Sequence, residues 1–252
     1  MSNGKQVLVM VFVKRPIFKL VELKGGLYLT INKISIFLAA DSTVQSYGLS
    51  EKDQGGWGEF LQNYLTNDVQ VINHAIGGRS SKTFVEEGRL HKIAEEMKEG
   101  DYLLIQMGHN DATANKRERY TDPSTTYKDY LKMYVDGARK CQAEPVLITP
   151  VARLHCENDQ FINDFPEYCQ AMKEIAKEEN VVFIDLMEKS LRLFESIGYE
   201  EAFTFFMASV NETDFTHFTK KGAKQMAKLV AEGISRTKLP ISKFVYVLEN
   251  QS

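Results

Sequence analysis

Five short apolar runs rich in β-branched residues, separated by longer polar stretches of helical spacing, constrain this chain more than any other feature. The runs cover residues 34–39, 69–75, 102–107, 145–149 and 181–186. Their apolar residues follow one another without alternation, which suits strands covered on both faces. Between them residues 58–65, 83–98, 126–140 and 165–178 read as helices, and 220–235 closes the series. Strand and helix in alternation specify an α/β fold: a five-stranded parallel sheet between layers of helices, in one domain over residues 34–236. A chain of 252 residues, 43% of them hydrophobic, is long enough to fill such a core.

The flanks fit this scheme less well. Residues 7–13, 18–23 and 27–31 read as short strands joined by Arg15-Pro16 and Gly25-Gly26, so residues 1–33 form an N-terminal extension, with a small antiparallel unit as one possibility and a loosely packed leader as the other. The tail, 237–252, holds an apolar stretch at 241–248 with that extension as its candidate partner.

Net charge excludes some partners. At −3 the chain has no global positive field to gather nucleic acid or an anionic membrane surface. No stretch approaches the roughly 20 apolar residues of a membrane span, and no small-residue cleavage site follows the apolar run at 7–13. Cysteines number three, an odd count that leaves at least one thiol free and points to a reducing, cytoplasmic setting. Nothing in the sequence fixes the oligomeric state.

In parallel α/β sheets, ligands bind beyond the carboxyl ends of the strands. Those ends read Asp41-Ser42-Thr43, Gly77-Gly78-Arg79-Ser80, Gly108-His109-Asn110-Asp111 and Pro150-Val151-Ala152-Arg153, four loops that the topology brings to one edge. Ser42 is either a turn or helix-cap residue or an exposed nucleophile. A serine hydroxyl needs a base to take its proton, and that base needs a carboxylate to fix its tautomer. Asp214-Phe215-Thr216-His217 supplies both at a spacing of three, although the same residues would serve as surface groups before a helix capped by Thr219. Asn110 offers a side-chain N–H, and Ser42 and Gly78 offer backbone N–H groups, for an oxyanion. Gly77-Gly78 also reads as a plain strand-to-helix turn capped by Ser80 or Ser81.

These blocks, in this chain order, resemble those of the SGNH/GDSL hydrolases. The fuller strings LAADSTVQSYG, GGWGEFL, NHAIGGRSSKTFVEEGRL, GDYLLIQMGHND, PVLITPVAR and DFTHFTKKGA are most similar to the rhamnogalacturonan acetylesterases, over residues 34–235. The resemblance implies a flavodoxin-like three-layer α/β/α sandwich. It also implies cofactor-free, metal-independent removal of acetyl groups from pectic oligosaccharides, with Ser42, Asp214 and His217 catalytic and Ser42, Gly78 and Asn110 around the oxyanion. Two departures stand out. Ala40 occupies a family glycine position, where a methyl strains the turn if φ is positive, and Arg153 is followed by Leu154 where the family often has a second arginine.

Competing readings are poorer. There is no Gly-x-Ser-x-Gly elbow and no phosphate-binding glycine motif, and His155, Cys156 and Cys169 have unhelpful spacing for a metal. His74, His91 and His109 read as packing or surface residues. Trp57 is either a sugar platform or a packing residue. Arg79 and Arg153 are candidates to bind a substrate carboxylate, or else ion-pair partners of neighbouring acids. A broader esterase acting on acetylated xylo-oligosaccharides or other small acyl esters would share the same catalytic parts, whereas Ser42, Asn110, Asp214 and His217 argue against a carbohydrate-binding relative that has lost catalysis, since a mere binder needs no nucleophile with its base.

Overall fold

The structure, a computed structural model, describes residues 33–48 and 51–246, together with the backbone of 18–23 and 26–31. Its centre is a five-stranded, all-parallel sheet made of Ile34–Ala40 (β1), Val69–Asn73 (β2), Tyr102–Gln106 (β3), Glu144–Ile148 (β4) and Val182–Ile184 (β5). The spatial order is β2-β1-β3-β4-β5. This is the flavodoxin-like order, and its switch point falls between β1 and β3. β1 is an interior strand, paired with β2 on one side and β3 on the other, and all seven of its residues are buried, as an unbroken apolar run requires of a strand packed on both faces.

The helices bury one stripe each. In the helix Thr126–Lys140, Tyr127, Leu131, Tyr134, Val135 and Ala138 are buried at spacings of three and four. Asp129 in its first turn and Arg139 and Lys140 in its last complement the helix dipole. Pro166–Glu178 starts with proline at its first position, where no N–H is needed. Lys220–Ser235 is capped by the Thr219 hydroxyl, which accepts from the Gly222 amide, and buries Ala223, Ala227 and Ala231 along one face.

The structure departs from the sequence expectations in three places among the helices. The stretch expected as one helix over 83–98 is two, Ser81–Glu86 and Arg89–Glu96, because Gly88 sits at φ +72° and turns the chain between them. Residues 58–65 form only a short helix, Trp57–Phe60, and a 3₁₀ turn, Leu61–Tyr64. A helix not anticipated, Leu186–Ile197, follows β5 directly, with the Asp185 carboxylate accepting from the Glu188 amide as its N-cap. In the tail, Val245 bridges Leu65, and the Tyr246 amide donates to the Tyr64 carbonyl.

Of the three strands expected before residue 34, Phe18–Leu23 and Gly26–Ile31 pair as an antiparallel hairpin. Residues 7–13 lie outside the described residues. Among those described, no helix is long and apolar enough to cross a membrane.

Candidate active site

The loop after β1 is built around Asp41. Its carboxylate accepts from the Thr43 amide (2.9 Å) and hydroxyl (2.8 Å), an Asx turn that leaves Ser42 at the apex. Neighbours clamp this turn. The Trp57 amide donates to the Thr43 carbonyl at 3.0 Å, and the Tyr47 hydroxyl to the Ser42 carbonyl at 2.9 Å. Burial pushes the Tyr47 phenol up to about 12, which keeps it a donor. Gly56 is required here by close approach, since a Cβ on it would stand 2.3 Å from the Gln45 carbonyl oxygen. Ala40 is the last residue of β1, 1% exposed and on the ordinary negative side of φ, so the strain expected of a methyl at that position is absent.

A continuous polar chain runs beneath the turn. Trp57 Nε1 donates to Gln106 Oε1, Gln106 Nε2 to Thr43 Oγ1, and Thr43 Oγ1 to Asp41 Oδ1. Asp41 Oδ2 lies 3.2 Å from His109 Nδ1, whose Nε2 faces the Val151 carbonyl at 3.0 Å. Trp57 is therefore a buried packing residue, and no sugar can reach it. His109 is buried as well and ties the loop after β4 to the loop after β1, a bond between loops that sequence spacing does not reveal.

The second and third loops lean on each other. Gly78, at φ +79°, makes the turn into Ser81–Glu86, whose N-cap is Ser80 in a reciprocal box with Thr83. Asn110 Nδ2 donates to the Arg79 carbonyl at 3.0 Å, leaving its second N–H for the cavity. Behind them Asp111 accepts from the Ser81 amide and hydroxyl and from the Thr121 hydroxyl. Complete burial dominates there and raises the Asp111 carboxyl to about 6, against the hydrogen bonds that pull it down. With a folded pKa above the unfolded one, its contribution to stability is present below about pH 4 and is lost as pH rises through about 6. Asp111→Asn, neutral at every pH, should therefore gain on wild type in urea midpoint between pH 5 and pH 7. A difference that does not change with pH would refute this.

The fourth piece arrives from the far end of the chain. A two-residue antiparallel ladder, Phe218 opposite Gly55 and Thr219 opposite Gln54, fastens the segment before the last helix beside the β1 loop. Asp214 Oδ1 accepts from the Thr216 and His217 amides at 3.0 and 2.9 Å, and Asp214 Oδ2 lies 2.8 Å from His217 Nδ1. Partial burial pushes the Asp214 carboxyl up, but the His217 amide, the imidazole and the Thr216 amide together hold it below the usual range. As a carboxylate it can only accept, so His217 Nδ1 carries the proton and Nε2 is an acceptor. That Nε2 stands 2.9 Å from Ser42 Oγ.

Ser42, Gly78, Asn110, Asp214 and His217 all line one cavity of about 830 Å³. Of the two arginines expected to bind substrate, Arg153 lines it and Arg79 does not. Arg79 turns outward, its Nε 3.1 Å from a Glu87 carboxylate oxygen and its Nη1 donating to the Gly77 carbonyl. Proximity to a strand end was a sound guide to the backbone but not to the direction of a long side chain. Arg119, passed over in the sequence, lines the cavity from the loop after β3, and Asp164 and His155 form part of its rim. His155 lies 2.6 Å from Asp164 and 3.0 Å from Glu157, and these hydrogen bonds, the Asp164 one foremost, raise its pKa.

A flavodoxin-like sheet carrying serine, histidine and carboxylate in line at its switch point defines a carboxylic ester hydrolase. Residues 36–230 match the model of the GDSL-like lipase/acylhydrolase family, and the chain belongs to that family. It is 61% identical over 210 residues to the "probable rhamnogalacturonan acetylesterase YesY" of Bacillus subtilis (strain 168), covering 83% of this chain and 96% of the relative. It is 43% identical over 218 residues to the rhamnogalacturonan acetylesterase RhgT of the same organism, covering 82% and 92%. The crystal structure of Bacillus subtilis YxiM superposes with a TM-score of 0.74 at 26% identity, over 84% of this chain and 62% of that longer one.

Proposed function

We propose that this chain is an acetylesterase of rhamnogalacturonan oligosaccharides, with Ser42 as nucleophile, His217 as general base and acid, and Asp214 as the group that orients and charge-stabilises the imidazole. The observation that carries the reading is the unbroken line from Asp214 Oδ2 through His217 to Ser42 Oγ, at 2.8 and 2.9 Å. The substrate is supported by the 61% identity to a protein named for that activity.

Ser42 Oγ attacks the acetyl carbonyl carbon while its proton passes to His217 Nε2. The carbonyl π electrons move to oxygen, and this oxyanion is met by the amides of Ser42 and Gly78 and by Asn110 Nδ2–H. Collapse breaks the bond to the sugar oxygen, which leaves with the proton from His217, and an acetyl-Ser42 ester remains. Water then attacks that ester with His217 as base, releasing acetate and restoring Ser42. Asp214, hydrogen-bonded twice to its own loop, holds the imidazole in register through both halves. The test is release of acetate from acetylated rhamnogalacturonan oligosaccharides by the purified protein. Turnover of p-nitrophenyl acetate with no acetate released from the oligosaccharides would keep the chemistry and discard the substrate.

A further inference from the structure

Two guanidinium groups reach the cavity from different loops, and neither has a counter-ion among the described residues. Arg119 Nη1 lies 3.9 Å from where a Cβ on Gly78 would stand, so its charge abuts the edge at which the ester carbonyl is proposed to sit. Arg153 lies over the Phe165 ring, its Cζ 4.8 Å from the centroid, and this stacking holds the planar fork in place before any ligand arrives. The Nε atoms of both are buried without a hydrogen-bond partner among the described residues. By contrast Arg79, Arg89, Arg139 and Arg192, all outside the cavity, each pair with a glutamate. The two carboxylates in the cavity wall are engaged elsewhere, Asp164 with His155 at 2.6 Å and Asp214 with His217 at 2.8 Å.

Buried guanidinium N–H groups left without acceptors are costly, and two like charges in one cavity add to the cost. A planar anion would relieve both, since a carboxylate accepts the parallel N–H pairs of a guanidinium. Resting on the acetylesterase reading, we infer that Arg119 and Arg153 are the specificity-determining residues of this site: they bind the carboxylate of an acidic sugar whose acetyl ester faces Ser42. Asp164 Oδ2, also buried without a donor, supplies an acceptor for a hydroxyl of the same ligand.

Acetylated methyl galacturonoside and the matching galactoside, which differ only in carboxylate against hydroxymethyl, separate the possibilities. Wild type should show a KM at least about 10-fold lower for the galacturonoside, a preference eroded by high salt. Arg119→Gln and Arg153→Gln should each raise that KM about 10- to 100-fold, bringing the ratio of the two substrates toward one. Arg79→Gln, whose side chain is already paired outside the cavity, should keep the wild-type ratio. Equal hydrolysis of both esters by wild type would overturn the inference and leave the esterase reading standing, whereas acetate from neither would sink that reading itself. A loss in kcat shared equally by both substrates in Arg119→Gln would also overturn it, since that result assigns the arginine to the oxyanion or to the fold.

Discussion

Ser42→Ala is expected to lower kcat for any acetyl ester by about 10⁴- to 10⁶-fold, and His217→Ala by a similar factor. At 1.4 kcal/mol per decade this is about 6–8 kcal/mol of transition-state stabilisation. The double variant should be no worse than either single one, because nucleophile and base act as one unit and neither works alone. Stability should hardly move. Ser42 is only half-buried, and its side-chain oxygen is bonded to His217 across an open cavity, so its removal costs within about 1 kcal/mol. Steady-state hydrolysis of p-nitrophenyl acetate alongside thermal unfolding separates the two effects. A loss below about 10-fold in Ser42→Ala would mean that the attacking group lies elsewhere.

Asp41→Ala should cost about 3–5 kcal/mol of stability and most of the activity together. The side chain is fully buried, and its loss strips acceptors from the Thr43 amide, the Thr43 hydroxyl and His109 Nδ1 at once. None of these donors can turn to water without opening the loop that presents Ser42. Asp41→Asn keeps one acceptor oxygen and should lose less of each. Chemical denaturation and kcat, measured on both variants, check the order. The opposing pH signs of the two buried carboxylates sharpen the point. Burial pushes Asp41 upward, but the His109 charge and the hydrogen bonds from His109 and Thr43 outweigh it and hold the carboxyl below its ordinary value. Its stabilisation is therefore present above about pH 4 and is lost only below that, whereas that of Asp111 is lost as pH rises through about 6.

How much of this was legible in the sequence depended on whether a residue's role is set by its neighbours in the chain. The five strands were, because unbroken apolar runs leave few alternatives, whereas their flavodoxin-like arrangement was implied by the family resemblance alone. Asp214 and His217 were legible because a spacing of three lets one turn present both. Gly88 could have been read as a break in the 83–98 helix, and Asp185 with Glu188 as a cap, had the apolar run before them not absorbed Leu186. Arg119 was different. It sits in Lys116-Arg117-Glu118-Arg119, a charged loop whose composition matches any solvated surface turn, and only the tertiary path folds one of these arginines over the cavity. Arg79 shows the converse: the residue that captures it, Glu87, is eight positions away and leaves no periodic trace.

The ladder between Gln54–Gly55 and Phe218–Thr219 has a consequence in time as well as in space. It joins segments that flank four of the five strands along the chain, and the Ser42–His217 bond it secures spans 175 residues. Contacts so distant in sequence carry the largest loop-closure cost and form late. All five strands precede His217 along the chain, so during synthesis the nucleophile is laid down in a nearly complete scaffold well before its base exists. The site is in effect a clasp fastened last, and ester hydrolysis reports that the two ends of the fold have met.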